Sequence, residues 1–228
     1  MSRCATKFGS VHRANAGFTL IELLVVIGVI AALAAIVISG LTGTDKTTSL
    51  RSAQATVVNA LALARSKAMS SGRDVLFLVN DNQVEVTRYR RMLAVVDKAD
   101  NTRVYSVAYL PVGAYVVPYQ AHFSAAMIQE GDSWTTVGGA SLTSSALSNV
   151  ISCAVEGGNT EAWESYPIYA EGTSNQQGRI VVATGRERSP ADAAANGSPI
   201  VLVSPDQVRG VSVSFYGLAR LINDRMGF

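Results

Sequence analysis

The pattern of apolar and polar positions divides the chain into three stretches. From Phe18 to Ile38 the sequence reads FTLIELLVVIGVIAALAAIVI, apolar at almost every position and carrying one charge, Glu22. Twenty-one residues rising 1.5 Å each give a helix of about 32 Å, close to the roughly 30 Å of a bilayer's hydrocarbon core. From 44 to 71 the pattern becomes that of an amphipathic helix: Leu50, Val57, Val58, Leu61, Ala64 and Ala68 share one face, while Arg51, Gln54, Arg65 and Lys67 occupy others. Gly40 and Gly43 lie between the two halves, and at about 1 kcal/mol each relative to alanine they predict a loosening or kink there. Gly72 supplies a C-terminal stop. A continuous helix over 18–71 would be a stalk of about 80 Å.

From 72 to 228 short apolar runs alternate with turn residues, the pattern of an extracytoplasmic β-rich domain. Strands are predicted at 75–79 and 84–89 around an Asn80-Asp81-Asn82 turn, and at 92–96 and 104–110 around 97–102. Others are predicted at 114–119, 179–184, 200–204 and 211–216. The stretch 120–178 reads as a long excursion with helix at 141–154. The expected fold class is therefore α+β, a long N-terminal helix packed on one antiparallel sheet.

Charge changes the picture at the N-terminus. Arg3, Lys7 and Arg13 precede the apolar segment with no acid among them, so the positive-inside rule holds that end in the cytoplasm and places 72–228 outside. The 19 basic residues less these three leave 16 against 17 acidic, a net of −1 once residues 1–17 are removed. Bulk charge then gives no reason to expect generic phosphate binding. The two cysteines, Cys4 and Cys153, fall on opposite sides of the apolar segment, so no intramolecular disulfide is expected.

Two modes of processing compete. Ala32-Leu33-Ala34 would serve an ordinary signal peptidase, releasing a secreted β domain. Against it stands Glu22, a carboxylate in what should be the most apolar part of the segment, at a cost of a few kcal/mol at the bilayer centre. Its context, Gly17-Phe18-Thr19-Leu20-Ile21-Glu22 followed by Leu23-Leu24-Val25-Val26-Ile27, resembles the N-terminal signature of type IV prepilins and type II secretion pseudopilins. The resemblance implies cleavage between Gly17 and Phe18 by a prepilin peptidase, N-methylation of Phe18, and an assembly role for Glu22, pairing with the Phe18 ammonium of a neighbouring subunit. Residues 60–68 (ALALARSKA) with the strand at 74–79 resemble the H-type minor pseudopilins and related minor pilins. The implied partners are the prepilin peptidase, other pilin or pseudopilin subunits, inner-membrane lipid and exported protein cargo, with the chain a single-pass inner-membrane protein before it enters a pilus or pseudopilus.

Signs of chemistry are sparse. After leader removal His122 and Cys153 are the lone histidine and cysteine, too few for a His/Cys metal site within one subunit, and G-x-S-x-G and Walker motifs are missing. The expectation is a structural subunit, not an enzyme, with no cofactor. Glu156, Glu161, Glu164 and Glu171 read as a solvated loop, with calcium a minor alternative lacking EF-hand spacing. Arg88, Arg90 and Arg91 form the densest basic cluster, with Arg209, Arg220 and Arg225 near the C-terminus. The first three are the candidates for nucleic-acid contact in a DNA-uptake pilin, weighed against a solvated strand edge blunted by arginines.

Overall fold

The computed structural model describes residues 20–136, 138–155 and 158–228, without the side chains of Glu22 and 31–45. The chain forms two compact units, Met1–Gly43 and Thr44–Phe228. Helix α1 is assigned over Leu20–Ser71, so the loosening expected at Gly40 and Gly43 does not interrupt its hydrogen bonding. Gly72 ends it with φ 62°, a left-handed conformation that glycine adopts without a Cβ penalty.

Within Met1–Gly43, the described apolar residues from Leu20 to Ile30 are exposed around the whole helix circumference. Among the described residues no helix is long and apolar enough to cross a membrane; the predicted span 18–38 lies partly outside them.

Among the described residues of Thr44–Phe228, ten strands follow α1: β1 (Val75–Asn80), β2 (Met92–Asp97), β3 (Val104–Tyr109), β4 (Ala114–Val116), β5 (Asn149–Cys153), β6 (Glu161–Ile168), β7 (Gly178–Glu187), β8 (Ile200–Leu202), β9 (Val208–Val213) and β10 (Ala219–Ile222). A short helix α2 (Pro190–Asn196) joins β7 to β8. The strands build two antiparallel sheets where one was expected, β3-β2-β1-β6-β5 and β10-β9-β7-β4, with β8 alongside β7. Both sheets contribute to a core beneath α1. Leu50, Val57, Leu61, Ala64 and Ala68 of the helix meet Phe77, Val79 and Val95 of the first sheet and Ile180, Val182 and Val211 of the second. Full burial of each larger aliphatic is worth about 1.5–3 kcal/mol, so the amphipathic stripe is what fixes the helix to the domain.

Gln54 belongs to that buried face although its polarity had put it outside. Its amide donates to Gly210 O at 2.7 Å and Ile222 O at 2.8 Å, and its oxygen accepts from Arg209 at 3.3 Å. The side chain thus clasps β9 and β10 to the helix. On the other face of the second sheet, Tyr115, Val181 and Ala183 are covered by Met127, Trp134 and Leu142 from the 120–147 excursion.

Three local expectations are corrected. Residues 84–89 form turns rather than a strand, because Arg88 and Tyr89 both donate to Glu85 O and the chain reverses again at Arg90. The helix expected over 141–154 is a bend followed by β5. The excursion 120–178 also contains β6, which lies inside the first sheet between β1 and β5. Strand β6 reads EAWESYPI, with two glutamates and a proline that conceal a central strand. Pairing with β5 stops at Ser165, so Pro167 has a ladder on one side alone, where the lack of an N–H is tolerated.

Candidate functional site

The densest set of ionisable groups in the described domain is one that no sequence motif marks. Arg90 ends the β1–β2 connection with φ 58°, rare for a residue with a side chain, and is tied down on both sides: its N–H donates to Asn80 O at 3.0 Å and its carbonyl accepts from Val116 N at 2.9 Å. That turn drives the guanidinium inward, where it is fully buried. Nη1 lies 2.6 Å from Glu164 Oε2, Nη2 pairs with Asp81 Oδ1, and the group stacks on the Tyr89 ring at 5.3 Å.

Glu164 is equally buried, and its Oε1 is 2.7 Å from Nδ1 of the partly exposed His122. The Tyr119 N–H donates toward both carboxylate oxygens, at 3.2 and 3.3 Å. Two carboxylates therefore share one guanidinium, and three separate pieces of chain meet there: the β1–β2 connection, strand β6 and the segment 119–122. Burial pushes the Asp81 carboxyl above its ordinary 3.8, with Arg90 pulling the other way. For Arg90, burial disfavours the cation, but Glu164, Tyr89 and Asp81 together outweigh it and hold its pKa above the ordinary arginine value. Oxygen and nitrogen donors of Asp81, His122 and Glu164 fall within 4.8 Å of one another, a spacing a metal ion would accept. Arg90 already occupies both carboxylates, so the cation at this place is the chain's own.

The basic cluster read from the sequence does not form a patch. Arg90 is internal; Arg91 is largely buried, donating to Leu110 O at 3.2 Å and lying 3.7 Å from Glu187; Arg88 is partly exposed and 3.9 Å from Glu161. The three arginines thus face four different acids, Glu161, Asp81, Glu164 and Glu187, rather than sharing one surface. Of the C-terminal arginines, Arg225 is taken up by Asp206, Thr135 O and Ser133 O, and Arg209 by Gln54 and Asn223. The acids from 156 to 171 are not one solvated loop either. Glu161 accepts from Asn80 at 2.6 Å, Glu164 is the buried partner of Arg90, and Glu171 is exposed. Glu156 lies outside the described residues.

Cys153 is buried at the end of β5, and burial, then Glu161, pushes its thiol up to about 11, which suits a packing residue. What could have hinted at the ion cluster is the placement of Glu164 between Trp163 and Tyr166, large aromatics that buried strands favour. Its partners stand 42 and 74 positions away, beyond any local pattern.

The processing residues Gly17 and Phe18 lie outside the described residues. Glu22 is on α1, with its side chain outside the description. Comparison with known families gives one match over this stretch, residues 12–38, to the family model described as Prokaryotic N-terminal methylation motif. No curated protein and no solved structure matches the chain. The N-terminal segment is therefore of the prepilin type, a motif that implies processing by prepilin peptidase and assembly with pilin subunits.

Proposed function

We propose that this chain is a minor pilin or pseudopilin, a structural subunit of a type IV pilus or of a type II secretion pseudopilus. The observation that carries the reading is the methylation-motif match over residues 12–38; we read Gly17, Phe18 and Glu22, which lie inside it, as the cut, the new N-terminus and the assembly carboxylate. The nascent chain inserts in the inner membrane with Arg3, Lys7 and Arg13 inside, and the peptidase cuts after Gly17 and methylates Phe18. The apolar segment then passes from lipid into the filament core. Glu22 near the helix N-terminus interacts favourably with the macrodipole and neutralises the Phe18 ammonium of a neighbour. The chain performs no reaction and needs no cofactor; the domain over 72–228 meets neighbouring subunits or exported cargo.

An α-helix docked on antiparallel sheets supports this reading, because a stalk can be drawn into a filament only if it is fixed to the domain it displays. The test is the mass and N-terminal sequence of the chain from membranes of cells with and without prepilin peptidase, beside a Glu22→Ala variant. An N-methylated Phe18 start that requires the peptidase is expected, with the variant still cut but missing from filaments. A start near Ala35, or an N-terminus indifferent to the peptidase, would overturn the proposal.

A further inference from the structure

The register of the second sheet places two arginines and a serine in one row. Arg179 of β7 stands opposite Ser212 of β9, and Ser212 stands opposite Arg220 of β10. Val181, two residues from Arg179, packs in the core away from α1, while Ile180 and Val182 pack beneath the helix, so the row lies on the sheet face turned away from α1. Neighbouring strands are about 4.8 Å apart, which sets the two arginine Cα atoms about 10 Å apart with a hydroxyl between them. All three residues line one cavity of about 690 Å³, a volume in the range that holds small ligands. The Phe228 ring forms one side of it and lies over Gly210, where a Cβ would come within 2.7 Å of the ring.

The charges around this cavity do not balance. Neither Arg179 nor Arg220 pairs with a carboxylate among the described residues. Arg179 is partly buried: its Nε donates to Thr143 O at 3.3 Å, its Nη2 donates to Ser141 O, and its guanidinium lies 5.7 Å from the Phe228 ring. Carbonyls fix its position without neutralising it, and burial pulls its pKa below the ordinary arginine value. Arg90 is the contrast, a buried arginine that its own acids hold above that value. Asp224 is the acid on the cavity lining, and its Oδ1 already accepts from the N–H groups of Met226 and Gly227, at 3.0 and 3.2 Å. Two cations therefore face one carboxylate that the backbone engages, a local excess that bulk charge conceals.

We propose that the Arg179–Ser212–Arg220 row binds a phosphate group, as the free dianion or on a small monoester. A phosphate carries about −1.5 to −2 charges at pH 7, which matches two guanidinium groups. Its oxygens can meet a guanidinium at each end of the row and the Ser212 hydroxyl between them, whereas one guanidinium fork takes up both oxygens of a carboxylate. Arg179 is the end held by carbonyls; Arg220 is exposed and free to close on the ligand. The site goes beyond the subunit reading and does not depend on it.

The test is isothermal titration calorimetry of the full chain in dodecyl maltoside micelles and phosphate-free Tris buffer, with inorganic phosphate, glycerol phosphate and acetate as probes. At least one phosphate probe is expected to bind about tenfold or more tighter than acetate, and the tighter of the two identifies the source. Arg220→Gln should weaken it about tenfold and Ser212→Ala about threefold. Arg88→Gln, which changes a partly exposed arginine outside the row, should leave it unchanged. Near-UV circular dichroism checks that the variants keep the fold. Acetate binding as tight as phosphate overturns the proposal, as does a lack of binding by either phosphate probe at about 10 mM. Phosphate binding indifferent to both Arg220→Gln and Ser212→Ala overturns it too, and so does an equal loss in Arg88→Gln, the mark of diffuse charge. A DNA duplex that binds tighter than both phosphate probes and depends on Arg220 would make the ligand a diester polymer and likewise overturn it.

Discussion

Replacing Arg90 by methionine keeps most of the volume of the side chain and removes its charge, leaving the buried carboxylate of Glu164 and the partly buried one of Asp81 without their shared cation. Glu164 is fully buried and Asp81 partly exposed, so the larger share of the loss falls on Glu164. Breaking a buried pair by removing one partner costs about 3–5 kcal/mol, because the remaining charge has lost its solvent and its counter-ion together. Domains of this size are stable by about 5–15 kcal/mol, so the loss is a large share of the total. Urea unfolding of the full chain in nanodiscs, followed by the fluorescence of the buried Trp134 and Trp163, measures it. The midpoint is expected to fall with the slope unchanged. Pairing Arg90→Met with Glu164→Leu removes the stranded carboxylate, and the double variant is expected to recover about 1.5–3 kcal/mol relative to the sum of the single losses. The reasoning is refuted if Arg90→Met costs under about 1 kcal/mol, or if the two changes add to within about 0.5 kcal/mol.

Asp97, which is buried, and Asp81, which is partly buried, should respond to pH with opposite signs. Burial works against ionised Asp97, but hydrogen bonds from the N–H groups of Ala99 and Asp100, from Arg73 and from the Tyr105 hydroxyl outweigh it and hold its pKa below 3.8. Its contribution is therefore present above the ordinary carboxylate range and lost as the pH falls through the lowered value. Asp97→Asn should cost about 1–3 kcal/mol at pH 7, a difference that closes in acid, as urea midpoints across a pH series would read. Asp81 is raised, so its contribution is complete below 3.8 and lost as the pH rises through the folded value; Asp81→Asn should cost less at pH 7 than Asp97→Asn, and the reverse ranking would contradict the assignment. At Cys153 a thiol near 11 against an ordinary 9.0 holds about 100-fold less thiolate at pH 8. In a Cys4→Ser chain, labelling by a disulfide reagent should be that much slower in the folded protein than in urea.

Much of this protein is legible in its sequence because the physics involved is local. A run of apolar residues from Phe18 to Ile38, broken by one carboxylate and preceded by three basic residues, states its chemistry without reference to any fold. The stripe from Leu50 to Ala68 follows from its period, since a helix face recurs every 3.6 residues, and β1, β2, β3 and β7 follow from short, largely apolar runs bounded by turn residues. What only the tertiary structure decided are the places where a polar residue is buried because a distant one satisfies it. Glu164 could occupy a central strand once Arg90, turned inward by its left-handed backbone, lay beside it. Gln54 could join the apolar face of α1 once Gly210 and Ile222 offered their carbonyls. The division into two sheets and the burial of one arginine from a run of three depend on pairings between residues tens of positions apart. Local periodicity carries no trace of them, because the partner that makes each burial affordable is supplied by the fold.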